Sequence, residues 1–193
     1  MAEKKEIIKL PFIKGERIDL APIRIENVIL YAKWINSPTV RHYSRNPLPR
    51  SIDEMKKWLE PKKEEVFSEV FFEINHKEDQ KPIGMAGLTK INWLYRNANL
   101  FIEIGEIEYW GKGLADEIAK MVLDYAFEEL NLHKIYTSVF SPNERSMKAT
   151  RKVGFIHEGI LREEIYVDGI YVDEHKFGIL KRDWMDKKCE KGV

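Results

Sequence analysis

Apolar and polar side chains alternate through residues 17–23, where Ile18 and Leu20 interleave with Arg17 and Asp19, the two-residue period of a half-buried strand. Residues 25–36 carry helical spacing and end near Ser37-Pro38; residues 41–50, with Pro47 and Pro49, read as irregular. Ser51 and Glu54 form a capping box that opens a second helix reaching about residues 60–61. Strand patterns occupy residues 66–75, 82–91 and 97–105, the first two joined by a charged turn. Leu114, Ile118, Met121, Val122 and Tyr125 then recur at the 3.6-residue period, predicting a long amphipathic helix over residues 113–130. A strand over residues 134–140 and a short helix over residues 141–152 follow. Strands over residues 155–167 and 170–180 flank Asp168-Gly169, a strong two-residue hairpin signal. The order is strand, two helices, three strands, helix, strand, helix, two strands. It predicts an α/β (α+β) chain with a single mixed sheet flanked by helices.

Length and composition narrow the picture. A chain of 193 residues is expected to form one domain, with its core over about residues 17–184 and charged tails at both ends. The 32 basic and 32 acidic residues cancel, which removes the electrostatic argument for direct nucleic-acid binding. Cys189 is the single cysteine, so no intrachain disulfide forms. The five histidines fall in separate elements without ligand spacing, and no metal is expected. No window has the length and apolarity of a membrane span, and the N-terminus carries no signal-peptide pattern; a cytoplasmic protein is expected.

The segment between the third strand of the middle run and the long helix stands apart. Tyr109-Trp110-Gly111-Lys112-Gly113-Leu114-Ala115 places two glycines at a helix start, where unpaired N–H groups can converge on an anion. It lacks the Gly-Lys-Ser/Thr ending of a P-loop and the three-glycine dinucleotide fingerprint. By itself it fits a tight turn as well as an anion cradle.

Three further segments resolve that choice: Ser141-Pro142-Asn143-Glu144-Arg145-Ser146, Arg151-Lys152-Val153-Gly154-Phe155, and Glu158 to Glu163 before the Asp168-Gly169 turn. In this order the chain resembles the GNAT superfamily of acetyl-CoA-dependent N-acetyltransferases, within it most the Rim-type branch of ribosomal-protein N-terminal acetyltransferases. The resemblance implies a mostly antiparallel sheet splayed between residues 97–105 and 134–140, with the thioester of acetyl-CoA in the gap. It implies that Gly111, Lys112, Gly113, Leu114, Ala115 and Asp116 hold the coenzyme diphosphate. Ile104 and Gly105 would present backbone to the pantetheine arm, and Asn143 would hydrogen-bond it. Trp110 stands where the general pattern has Arg or Gln, a departure usual for this branch. Lys152 matches a lysine found near the coenzyme phosphates. A homodimer is a further possibility, dimers being common in this branch.

Acetyl transfer to an amine needs a neutral amine, a near-attack geometry, an oxyanion donor and a leaving thiolate. The family's tyrosine acid is Thr150 here, and a glutamate base of some relatives is Asn99, so neither role carries over. Ser146 matches a serine able to contact the sulfur. Glu103, four residues after Asn99 and on the same strand face, is the candidate base. Each has a plainer alternative: a helix-surface serine, and a carboxylate paired with a cation. Asn143 likewise reads locally as a surface residue behind a Ser141 N-cap. Tyr43 and Trp93 are candidate pocket contacts. The expected activity is acetyl transfer to a primary amine, foremost a protein N-terminal α-amine. The alternatives are a small amine, such as an amino-sugar nucleotide or polyamine, and a non-catalytic coenzyme A sensor or scaffold.

Overall fold

The computed structural model describes residues 10–45, 47–60 and 66–190. Eight strands form one sheet: β1 Ile13–Lys14, β2 Ile18–Pro22, β3 Val70–His76, β4 Lys81–Asn92, β5 Asn97–Ile104, β6 Lys134–Phe140, β7 Ile156–Val167 and β8 Ile170–Leu180. The helices are α1 Val28–Asn36, α2 Pro38–Ser44, α3 Ile52–Leu59, α4 Leu114–Asp124, α5 Glu144–Val153 and α6 Lys181–Glu190. The strand order is β1-β2-β3-β4-β5-β6-β8-β7, antiparallel throughout except for the parallel β5–β6 pair.

That parallel pair is the decisive feature. It holds only at Asn97↔Lys134, Ala98↔Ile135 and Asn99↔Tyr136. Beyond Asn99 the strands part, so the expected splay opens between the C-terminal halves of β5 and β6. Each arm stays rigid because its other edge is paired, β5 with β4 as far as Ile104 and β6 with β8 as far as Phe140.

Two apolar clusters lie on opposite faces of the sheet. One joins α4, α5 and α6 through Ile118, Val122, Met147, Val153 and Trp184 to Leu88, Leu100, Ile135 and Phe177. The other packs Val28, Tyr31 and Trp34 of α1 and Met55 of α3 on Met85 and Phe101. Between α1 and β3 a fully buried Glu73 is held by Arg24 (3.1 Å), the Tyr31 hydroxyl (2.6 Å), Asn75 Nδ2 (3.0 Å) and Asn27 Nδ2. A buried carboxylate survives only with partners of this kind, so the network locks α1 in place.

Several boundaries depart from the periodic reading. The Ser51 capping box forms as expected. Residues 41–50, read as irregular, contribute the second half of α2: Ser37 caps it with Pro38 at its first position, and it ends at Arg45 in the left-handed region (φ 55°). The Ser37-Pro38 pair therefore starts a helix as well as ending one. The long helix becomes α4 followed by one π-turn over Tyr125–Glu129. The charged C-terminal tail is helix α6, because Trp184 buries its ring and donates to Asp124 Oδ1 (2.8 Å) while Lys188 reaches Asp124 and Glu128. The hairpin forms at Asp168 (φ 50°) and Gly169 (φ 90°), the conformation that such a tight turn requires. Among the described residues no helix is long and apolar enough to cross a membrane.

Candidate active site

Gly111 (φ 78°) and Gly113 (φ 73°) both adopt the left-handed region, and a Cβ at either would meet nothing within 4 Å. The turn therefore exposes its main chain. Gly113 is the N-cap of α4 and supplies no side-chain cap, which leaves the first N–H groups of the helix, at Leu114, Ala115 and Asp116, open to an outside acceptor. Arg17 fixes the turn from behind: its Nη1 and Nη2 donate to the carbonyls of Lys112 (3.0 Å) and Gly113 (3.2 Å), and its Nε to Glu117 (3.0 Å). Glu117 also accepts from the N–H of Arg17 and of Ile18. These bonds hold its carboxyl below the usual range, against the burial that opposes them. The remaining first-turn acid, Asp116, turns to Lys152 of α5 (2.5 Å). Both carboxylates are thus engaged away from the open N–H groups. The ammonium of Lys112 lies over the Tyr109 ring, 4.8 Å from its centre, which leaves the main chain of Lys112 as its contribution to the turn.

The β5 arm supplies backbone. Gly105 N–H donates to Ile83 C=O (2.8 Å), so by the antiparallel ladder Glu103 and Phe101 also point their amides at β4. Ile102 and Ile104 then turn their N–H and C=O groups into the gap. The Ile104 carbonyl accepts from the indole of Trp110 (2.7 Å). Gly105, expected beside Ile104 as backbone for the pantetheine arm, is instead committed to β4 and pressed against α1. A Cβ on it would fall 2.1 Å from Trp34 Cγ. Gly105→Ala is accordingly expected to cost about 1–3 kcal/mol of stability, read as a lowered thermal midpoint. An unchanged midpoint would contradict this packing.

The side chain of Glu103 lies on the α1–α3 face of β5, the face of Asn99 and Phe101. Burial pushes its carboxyl above the usual range, and only the Ser44 hydroxyl of α2 acts against this. Its Oε1 is buried without a hydrogen-bond partner among the described residues. Among the described residues no cation pairs with Glu103, so the ion-pair alternative finds no partner there. Asn99, at the closed end, donates to Thr89 (3.1 Å).

The C-terminal turn of α2 sits over the opening. Tyr43 packs edge-on to Trp110 with ring centres 5.5 Å apart, and Arg145 of α5 lies over both rings, at 5.8 and 5.0 Å. Tyr43, Trp110 and Glu103 are thus brought together around the splay. Trp93 is not. It lies in the β4–β5 connection, roughly 20 Å along the strand from Ile104, with its indole donated to Phe67 C=O (2.8 Å).

On the β6 arm the helix α5 starts later than its capping pattern predicts. The ladder still holds Ser141, whose N–H donates to Asp173 C=O (2.9 Å), so the helix cannot begin there. Asn143 becomes the N-cap, its Oδ1 accepting from Ser146 N–H (3.1 Å). Asn143 is therefore tied into the local cap through its oxygen and keeps its Nδ2 donors for other partners. Ser146 lies in the first turn of α5, half-buried, on the arm opposite Glu103.

Sequence reasoning missed Arg17, Ser44, Arg45 and Arg145. Ser44, Arg45 and Arg145 sit in segments read as loop or helix surface, and Arg17 meets its turn 95 residues away.

This geometry has known counterparts. Residues 17–156 match the model of the acetyltransferase (GNAT) domain. The chain is 29% identical over 170 residues to an uncharacterized N-acetyltransferase of Bacillus subtilis, YokL, covering 88% of this chain and 93% of that one. It is 28% identical over 170 residues, 88% of each chain, to a protein of the same organism named putative ribosomal N-acetyltransferase YdaF. It is 37% identical to the spermidine N(1)-acetyltransferase of Vibrio cholerae over 105 residues, 54% of this chain and 60% of that one. The crystal structure of spermidine N-acetyltransferase from Vibrio cholerae with CoA and spermine superposes with a TM-score of 0.81 at 28% identity, covering 88% of this chain and 98% of that chain. An uncapped glycine turn at the mouth of a splayed sheet suits the diphosphate of acetyl-CoA, and with these similarities the chain belongs to the GNAT family and is an acetyl-CoA-dependent N-acetyltransferase.

Proposed function

We propose that the acceptor is a protein N-terminal α-amine, acetylated directly in a ternary complex. One observation carries this reading: a half-buried carboxylate, Glu103, whose buried Oε1 has no hydrogen-bond partner among the described residues. An α-amine has a pKa of about 8 and needs only a modest base to become a nucleophile. A carboxyl raised by burial is better matched to that task than an ordinary surface carboxylate.

In this scheme the exposed N–H groups of residues 111–116 bind the diphosphate, and Asn143 Nδ2 donates to the pantetheine arm. Acetyl-CoA supplies an acetyl group on a thiol whose pKa of about 8.5 makes it a tolerable leaving group. Glu103 takes the proton from the amine as nitrogen attacks the thioester carbon. The N–H of Ile102 or Ile104 donates to the oxygen that becomes negative. Ser146 hydroxyl, on the opposite arm, donates to the departing sulfur. The C–S bond breaks as the C–N bond completes, and the thiolate recovers a proton from solvent.

The second reading is a polyamine acceptor, favoured by the named activity of the Vibrio cholerae relatives. Electrostatics weigh against it. The cations gathered at the mouth include Arg45 and Arg145, and a polycation would have to approach them. Thiol release measured with N-terminal peptides, spermidine and an amino-sugar nucleotide separates the readings. Peptides are expected to give the highest kcat/KM; a higher value for spermidine would sink the proposal. A cytoplasmic location fits this function. The exposed apolar residues Ile156, Ile160, Tyr166, Ile170 and Tyr171 on β7 and β8 support a homodimer.

A further inference from the structure

Four buried side-chain atoms lack a hydrogen-bond partner among the described residues: Arg24 Nε, Asn75 Oδ1, Glu103 Oε1 and Arg45 Nε. The first two belong to the Glu73 network, where a carboxylate neutralises Arg24. The other two belong to the splay. Ser44 and Arg45 are consecutive, yet they touch opposite arms: Ser44 meets Glu103 on β5, while Arg45 lies over Phe140 at the end of β6, 5.7 Å from the ring centre. The Arg45 guanidinium donates to two carbonyls, His42 (3.2 Å) and Tyr166 on β7 (2.5 Å). No carboxylate pairs with it among the described residues. Asp168, on the same hairpin as Tyr166, approaches His42 Nδ1 (3.8 Å) instead.

This half-buried guanidinium, with its Nε shut off from solvent, carries a positive charge that carbonyl dipoles and a ring only partly offset. Its planar fork is suited to a carboxylate. The left-handed backbone at Arg45 (φ 55°) is an unusual conformation for a non-glycine residue, and it sends the side chain across the opening from a segment whose previous residue touches the candidate base.

We infer that Arg45 is a specificity-determining residue that receives a carboxylate carried close to the reacting amine, so that preferred acceptors are N-termini opening with an acidic side chain. The inference rests on Glu103 marking the position of that amine. An acceptor nitrogen at Glu103 has its nearest substituents under the α2 turn, and Arg45 is the cation this turn extends toward the β6 arm.

The test compares wild-type enzyme and Arg45→Met by thiol release on two peptides that differ only in opening with Asp or Asn. Free alanine and alaninamide form a second pair, to separate a side-chain carboxylate from an α-carboxylate. Wild type is expected to favour the Asp peptide by about 10-fold in kcat/KM, the scale of a charge-assisted hydrogen bond. Arg45→Met should abolish that preference through a larger loss on the Asp peptide than on its neutral partner. Arg45→Lys, which keeps the charge without the fork, should retain part of it. A preference for alanine over alaninamide that Arg45→Met removes supports the same carboxylate site with a free amino acid as its source. Equal losses on both peptides would make Arg45 a strut between α2 and β7 and overturn the inference. So would a wild-type enzyme indifferent to the charge of either pair, a result that needs no variant to fold. Acetylation of both peptides without charge preference removes only the Arg45 assignment. Acetylation of spermidine and of neither peptide removes the N-terminal acceptor as well.

Discussion

Glu103→Gln is expected to lower kcat/KM by about 100-fold or more, the lower range of what a positioned general base contributes. The affinity for acetyl-CoA should stay near that of wild type, because the substitution changes a side chain on the α1–α3 face of β5 and leaves the gap-facing backbone of Ile102 and Ile104 in place. The pH profile gives the sharper test. A base works deprotonated, so wild-type kcat/KM should rise with pH through an acid limb displaced above the usual carboxylate range, since burial raises this carboxyl. The glutamine variant should lose that limb. Stability has the opposite sign. A carboxyl whose folded-state pKa is raised favours the folded protein fully only below its unfolded pKa, and that contribution is lost as pH rises through the raised value. Near neutral pH the variant should therefore melt no lower than wild type. Equal kcat/KM with an unchanged acid limb would exclude Glu103 as the base.

Gly113→Val is expected to weaken acetyl-CoA binding by about 10-fold or more, measured by titration calorimetry, the scale of losing one charge-assisted hydrogen bond. Two effects combine. Valine at φ 73° carries a backbone penalty of about 1–2 kcal/mol, which should appear as a lower melting midpoint. Its branched side chain also projects into space where no protein atom lies within 4 Å. That space is where the proposed diphosphate approaches the main chain. Gly113→Asn separates the effects, because asparagine tolerates the left-handed region better. It should recover stability while affinity stays low. Unchanged affinity in a folded Gly113→Val protein would remove the diphosphate from this turn.

Local pattern made much of the fold legible. The period of two in β2, the 3.6-residue period of α4, the Ser51 capping box and the Asp168-Gly169 turn each act over a few residues, so each leaves a readable signature. The glycine turn was legible for the same reason: its conformation depends on Gly111 and Gly113 themselves. Asn143 was legible as a residue but not as an N-cap. Its role depends on the ladder holding Ser141 to Asp173, a contact across 32 residues.

By itself the sequence determined most of the strands and helices between residues 17 and 180, that a glycine turn precedes α4, and that Glu103 shares a face with Asn99. Only the tertiary structure decided how far β5 and β6 stay paired, that α2 closes over their divergence, and that Gly105 is spent on Ile83 and Trp34. It also decided that Glu103 Oε1 is buried without a partner among the described residues and that Arg45 reaches Tyr166 across 121 residues. The physical reason is the range of the interactions. Backbone conformation and amphipathic period are set by near neighbours, whereas burial, charge compensation and the splay arise where distant segments meet.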